Sequence, residues 1–401
     1  MFDFETFVDR KGKDARAFDE LETLLGKDTP KTLPGFSQIP MWIADMNFAT
    51  CPSIVETIES RLDHALFGYF TPRPEYFEAI SSWQNNSFGI SDLTPDKIAP
   101  EVNVLGGITS ALHVTAPVGS KILLHAPTYI GFTKTLLNNG YRPVLSYLKK
   151  DADGVWRMDY EDMERQIVEN NIHTCIFCSP HNPSGRVWEM SELERAMHIF
   201  KKHDVVVLSD EIWSDLVFSE AKHIPLHAIN EDAKNRVCSF YSLSKTFNCA
   251  GLSSAYSVIY NKSLRDRVNQ QASLSHYNAL NICSMYAIIG AYCDTGKAWL
   301  DELISVLEQN AKYAVDFVNA DLDGAKCSKI DGTYMLFVEC CEWCEKNRMG
   351  VTDLLRRCYE VGVFCQNGEP FHGKHCIRFN LALPTKIMMD AFSRLEKYVF
   401  N

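Results

Sequence analysis

The chain has 401 residues, 46% hydrophobic and 23% charged, a composition that supports large apolar cores and excludes disorder. A net charge of −11 excludes a general nucleic-acid or anionic-membrane binder, because no basic face is implied. The 14 cysteines are scattered, many inside apolar runs (Cys175, Cys178, Cys238, Cys283), where a thiol packs as a small hydrophobe. With no signal peptide at the N-terminus and no window of about 18 apolar residues, a reduced, cytoplasmic compartment is expected.

Residues 1–48 are mostly polar and irregular, broken by Pro30, Pro34 and Pro40, and read as an arm crossing the surface onto the C-terminal unit. Helical spacing follows over Ser53–Leu66 and Tyr76–Phe88. From Val102 short apolar runs alternate with amphipathic stretches. Strands are expected at Val102–Leu105, Lys121–His125, Tyr141–Leu148, His173–Cys178, Val205–Leu208, Val237–Tyr241 and Ser254–Tyr260. Helices are expected between them at Thr109–Ala116, Ile130–Asn138, Tyr160–Glu169 and Glu192–His203. Such alternation predicts an α/β fold, a mainly parallel sheet with helices on both faces, over 49–290. Long helices then lead into a smaller α+β domain over 291–401, with strands at Gly332–Val338 and Lys374–Asn380.

In parallel sheets ligands lie beyond the carboxyl ends of the strands, so the residues just after each run carry the functional reading. Gly106-Gly107 opens a helix whose free N–H groups suit a phosphate. Tyr129 follows the second run and offers an aromatic face. Asn182 lies in Ser-Pro-His-Asn-Pro-Ser-Gly at 179–185 and supplies an amide donor. Asp210, in Ser-Asp-Glu-Ile-Trp at 209–213, is a carboxylate at a buried strand end and needs a partner to stay ionised. Lys245, in Ser-Leu-Ser-Lys-Thr-Phe-Asn-Cys-Ala-Gly-Leu at 242–252, sits where desolvation favours a neutral amine. Alone, each has an ordinary structural reading; Asp210, for example, suits a helix cap. Together they match what pyridoxal 5′-phosphate requires.

These motifs resemble the class I/II aminotransferase superfamily, the fold-type I pyridoxal-phosphate enzymes. Pro40-Met41-Trp42-Ile43-Ala44-Asp45-Met46, Phe67-Gly68-Tyr69, Gly332-Thr333-Tyr334 and Arg378-Phe379-Asn380-Leu381 resemble, more narrowly, the MalY/PatB branch of cystathionine β-lyases. The resemblance implies that Lys245 joins the cofactor as a Schiff base, Asp210 pairs with the ring nitrogen, Asn182 bonds the ring hydroxyl and Tyr129 stacks on the ring. It further implies that Gly107, Ile108 and Thr109 hold the phosphate with Ser242 and Ser244. Tyr69 would reach it from the second subunit of a homodimer whose active site lies at the interface. Arg378, with Asn182, would bind the substrate carboxylate.

Two departures bear on the reaction. Ser253 stands where many aminotransferases carry an arginine for the phosphate, and Trp213 where they carry a tyrosine. Both favour α,β-elimination from L-cystathionine or a related S-substituted L-cysteine over transamination. A transaminase with the same residues and a non-catalytic or regulatory relative are the alternatives. Cys340-Cys341-x-x-Cys344 lacks a second matched pair, so no metal site is expected. Trp42 and Asp45 either border the active site or anchor the arm.

Overall fold

The structure is a computed structural model describing residues 2–21 and 31–401; residues 22–30 of the expected arm, with Pro30, lie outside the described residues. Seven strands build the central sheet: β1 Ile98–Glu101, β2 Lys121–Ala126, β3 Arg142–Tyr147, β4 Thr174–Cys178, β5 Val206–Asp210, β6 Val237–Ser242 and β7 Ala255–Val258. Their spatial order is β1-β7-β6-β5-β4-β2-β3. Neighbours from β6 through β3 are parallel, and β7 is antiparallel to both β6 and β1.

Parallel strands covered by helices are buried on both faces, which explains their unbroken apolar runs. On one face Leu124, Ile176, Leu208 and Phe240 pack with Ile108 and Leu112 of the helix Val104–Thr115. On the other, Leu123, Phe177 and Val207 pack with Met163, Leu193 and Phe200. Each fully buried side chain of this kind contributes about 1.5–3 kcal/mol.

The first strand differs from expectation. Val102–Leu105 is not a strand: β1 ends at Glu101, and Asn103 caps a helix that already contains Val104 and Leu105. The Asn103 side chain accepts from Gly106 N at 2.8 Å. Pro100 disguised the true strand, since proline is disfavoured inside sheets; it is tolerated because β1 is an edge strand.

After the 28-residue helix Asp294–Asp321 comes a four-stranded antiparallel sheet of Lys326–Cys327, Met335–Glu339, Cys376–Asn380 and Gln366–Asn367, in that order. The arm packs on this unit. Ile39–Pro40 pairs in parallel with Val363–Phe364, and Asn47 N donates to Ala382 O at 2.9 Å. No described helix is long and apolar enough to cross a membrane.

Glu101, the last residue of β1, is 1% exposed; it accepts from Ser257 Oγ at 3.0 Å, and its other oxygen has no partner. Burial pushes this carboxyl up to about 8, partly opposed by the Ser257 bond. A raised acid contributes full stability below its unfolded value near 4.5 and loses it as pH climbs through 8. Glu101→Gln is therefore expected to raise the unfolding free energy at pH 9, by on the order of a few kcal/mol, with a matching rise in thermal midpoint, and to leave both unchanged at pH 4. Calorimetry at the two pH values checks this; an equal effect at both would show that packing, not ionisation, sets the cost.

Candidate active site

The carboxyl ends of β1, β2, β4, β5 and β6 lie along one edge of the sheet and meet at a cavity of about 200 Å³. Asn103, Val104, Leu105, Tyr129, Asn182, Asp210, Ser244 and Lys245 are among the residues that line it. Strand register decides the neighbours: Asp210 lies opposite Cys178 on one side and Phe240 on the other. Lys245 follows β6 on the short helix Leu243–Thr246, which Ser242 caps by accepting from Ser244 N at 3.1 Å. Thr246 Oγ1 donates to Asp215 at 3.0 Å and ties that helix to the loop after β5.

Lys245 Nζ donates to Ala44 O at 2.7 Å. Burial lowers its pKa to about 8, the Arg378 charge acts the same way, and Asp45 and Asp210 oppose. At pH 7 about a tenth of such an amine is neutral, against well under a thousandth for an ordinary lysine. Asp210 is 4% exposed and, among the described residues, accepts only from Ile212 N, at 3.0 Å. Burial pushes it up to about 7, opposed by that N–H and by Lys245. It is a buried acid facing a cavity without a charged hydrogen-bond partner.

Arg378 projects from Cys376–Asn380, donating to Asn182 Oδ1 at 3.1 Å and Trp42 O at 3.2 Å, and to Gln366. Its guanidinium lies 4.5 Å from the Phe371 ring centre, and its buried Nε has no partner among the described residues. Burial draws its pKa down to about 10, which leaves it cationic at neutral pH. Tyr129 is fixed by a glycine: a Cβ at Gly131 would sit 2.2 Å from its ring. Trp213, 2% exposed, lies edge-on to Tyr334 at 4.8 Å, with Lys245 Nζ 5.7 Å from its ring.

Several expected residues stand elsewhere. Gly107, Ile108 and Thr109 lie inside the helix Val104–Thr115 and not at its open end. Gly107 N already donates to Asn103 O at 3.1 Å, and Thr109 Oγ1 to Leu105 O at 2.7 Å. Gly107 is a packing glycine, since a Cβ there would come within 2.7 Å of the Phe240 ring. The N–H groups without partners among the described residues are those of Val104 and Leu105, which line the cavity. The Ser242 hydroxyl is engaged, donating to Ser254 O at 2.7 Å and accepting from the Ser244 hydroxyl at 2.7 Å, while Ser244 also lines the cavity. Tyr69 is fully exposed and does not line it.

Two features escaped the sequence reading. Glu211, 0% exposed on the opposite face of β5 from Asp210, accepts from Ser209, His223, Leu226 N, Ser239 and Tyr241 at 2.7–3.1 Å. Burial would raise this carboxyl, but the His223 bond and charge hold it below its ordinary value. The second is the run Trp42–Met46, whose consecutive carbonyls accept side-chain donors. Trp42 O takes Arg378, Ile43 O takes Asn380, and Ala44 O takes Lys245 and Tyr334. Asp45 O takes Asn380, and Met46 O takes Arg10 and Asn248. Of the two readings of Trp42 and Asp45, both hold: Trp42 Nε1 anchors the arm by donating to Ala17 O, while the backbone between them contacts Lys245.

A family model described as aminotransferase class I and II matches residues 38–395. The chain belongs to this family. Within the aminotransferase family it is 30% identical over 390 residues to the cystathionine beta-lyase PatB of Bacillus subtilis strain 168, covering 94% of this chain and 98% of the relative. It is also 30% identical over 341 residues to the protein MalY of Escherichia coli strain K12, 84% of each chain being covered. The PLP-bound C–S lyase from Staphylococcus hominis superposes with a TM-score of 0.88 at 27% identity, covering 98% of both chains.

Asn380 gives the carbonyl run two bonds and accepts Ala382 N at 2.7 Å. Asn380→Ala strips partners from one buried and two partly buried backbone groups, and is expected to lower stability by about 2–3 kcal/mol in urea unfolding and to expose 41–48 to limited proteolysis. An unchanged midpoint with an intact arm would show that these bonds are replaced without cost.

Proposed function

We propose that this protein is a pyridoxal-phosphate-dependent carbon–sulfur β-lyase. It would cleave L-cystathionine or a related S-substituted L-cysteine to a thiol, pyruvate and ammonia. The observation that carries this reading is the meeting of a low-pKa lysine and a buried acid around one cavity, with an arginine that has an unused donor bonded to Asn182 in the cavity wall. The relatives named as cystathionine β-lyase and C–S lyase support it.

The residues fit the cofactor. Asp210 is a buried carboxyl lacking a charged hydrogen-bond partner, which a protonated pyridine nitrogen would provide and thereby keep ionised. The Val104 and Leu105 N–H groups at a helix N-terminus, with the Ser244 hydroxyl, suit a phosphate. Tyr129 would cover the ring, and Asn182, already turned toward Arg378, would meet its hydroxyl. Pyridoxal phosphate, when bound, supplies a ring that withdraws the electron pair released at the substrate Cα.

The chain's own groups do the rest. Arg378 orients the substrate carboxylate through its free Nε, against the planar ring of Phe371. Lys245 Nζ, neutral in useful proportion near pH 7, accepts the Cα proton while Ala44 O steers it. The Cβ–S bond then breaks with its electron pair on sulfur, and water converts the three-carbon remainder to pyruvate and ammonia. At position 253 a serine with left-handed backbone, φ 50°, offers the phosphate no cation, and Trp213 offers only an N–H donor. These two substitutions favour elimination over the transaminase alternative.

The same reading has two identical subunits sharing each site. Leu66, Phe67 and Tyr69 are 69%, 60% and 111% exposed, an uncovered apolar stretch that a second copy would bury, with Tyr69 entering the partner's site. The working division remains an arm at 1–48, a cofactor domain at 49–290 and a smaller domain at 291–401. All 14 cysteines are free, which suits a reducing, cytoplasmic setting.

Lys245→Ala is expected to fold normally, lack the visible absorbance of bound cofactor, and release pyruvate from cystathionine at least about a hundredfold more slowly. The wild type is expected to release pyruvate with no keto acid added; strict dependence on a keto acid would make it a transaminase. Mixing Lys245→Ala with Tyr69→Ala subunits is expected to restore about a quarter of wild-type activity, because half the molecules are mixed and each has one intact site. No recovery on mixing would place both residues in the same subunit's site.

A further inference from the structure

A second cavity, of about 600 Å³, shares Ala44, Lys245 and Ala250 with the first and opens toward the N-terminal arm, whose Asp14 and Arg16 line it. It borders Lys245 and is not lined by Tyr129, Asn182, Asp210 or Arg378, so it offers room for the part of a substrate beyond sulfur when Arg378 holds the other end. The arm presents these two charges on a built turn. Asp19 accepts from Gly12 N at 2.7 Å and from Ala15 N at 3.1 Å, closing residues 12–15. Asp14 takes a left-handed conformation at φ 57°, which aspartate tolerates better than most residues. Ala15 and Ala17 are 7% and 3% exposed, so Arg16 is held at the rim between two buried anchors.

The other charges of this cavity are committed. Arg10 pairs with Asp45 at 2.6 Å and donates to Met46 O at 2.9 Å, which neutralises both. Asp14 has no hydrogen bond or ion pair to a described residue. Among the described residues Arg16 pairs only with Glu20, at 2.9 Å, and the two side chains are 56% and 49% exposed. An ion pair that exposed is worth about 0–1 kcal/mol and exchanges readily for a better partner. The Arg16 charge is also felt at the first cavity. Burial raises the Tyr129 phenol, and the charges that oppose this are Arg378 and, from the arm, Arg16.

Building on the lyase reading, we propose that Asp14 and Arg16 form a subsite for the zwitterionic α-amino-acid group at the far end of the leaving thiol. Arg16 takes its carboxylate and Asp14 its ammonium. The substrate class is then S-substituted cysteines that carry a second amino-acid head, such as cystathionine and cystine, rather than simple S-alkyl cysteines. Opposite charges two residues apart match a group whose own opposite charges sit on one carbon.

The test uses the holoenzyme with L-cystathionine and S-ethyl-L-cysteine, following pyruvate for the wild type, Arg16→Gln and Asp14→Asn. The ratio of kcat/KM for cystathionine over S-ethylcysteine is expected to fall about tenfold in each variant. The loss is expected mainly in KM, since the far end is distant from the reacting bonds. A ratio unchanged in both variants overturns the subsite. If the wild type releases pyruvate from neither compound, the lyase reading fails, and the subsite is then decided by calorimetric titration with cystathionine. A Kd raised about tenfold in the variants sustains it, and equal Kd values in all three proteins overturn it.

Discussion

The run of peptide carbonyls from Trp42 to Met46 is the constraint on which the rest of the site depends. Its donors come from the segment after β6 (Lys245, Asn248), the small sheet and the residue that enters it (Arg378, Asn380, Tyr334) and the arm itself (Arg10). Five successive residues thus join three parts of the chain that are distant in sequence. The acceptors are neutral, and that choice matters chemically. A carboxylate bonded to Lys245 Nζ would favour the ammonium form; a carbonyl orients the amine while burial still lowers it to about 8. Likewise Trp42 O positions Arg378 without cancelling the charge a substrate carboxylate needs.

The electrostatics divide between the two faces of β5. Asp210 and Glu211 are adjacent, yet burial leaves Asp210 raised while Glu211 is held low by five donors. Side chains alternate across a strand, so consecutive acids meet different surroundings. Glu211 is satisfied and bridges β5, β6 and the 223–226 loop; Asp210 is left with one neutral donor and faces the cavity. Any cation entering there gains an interaction that the protein alone does not offer it. That is how a fold stores affinity for a protonated ring without holding an unpaired buried charge permanently.

The large sheet was legible because parallel strands buried on both faces give short apolar runs, and six of its seven strands were located within a residue or two. The failure at Val102–Leu105 has a local cause: an apolar run spanned the strand–helix junction, and periodicity does not see a cap. Reading Asn103 as the cap would have moved the expected free N–H groups to Val104 and Leu105. Lys245, Asp210, Asn182 and Arg378 were visible because their side chains carry the chemistry. The Trp42–Met46 carbonyls were not, because every residue has one and no sequence pattern marks which are aimed at a lysine.

The arm extends that reasoning from catalysis to selectivity. Side chains bonded into the carbonyl run, such as Arg378 and Asn380, have little freedom to change. Residues on the solvent side of the same segment face no such demand. Asp14 and Arg16 sit there on a turn fixed by Asp19 and anchored through Ala17 O to the Trp42 indole, so their placement follows that of the segment bonded to Lys245. A change of charge on this turn would alter what lies beyond sulfur without moving Lys245, Asp210 or Arg378. Within one fold and one set of reacting groups, the subsite proposed for the arm would let the leaving thiol be chosen separately from the reaction.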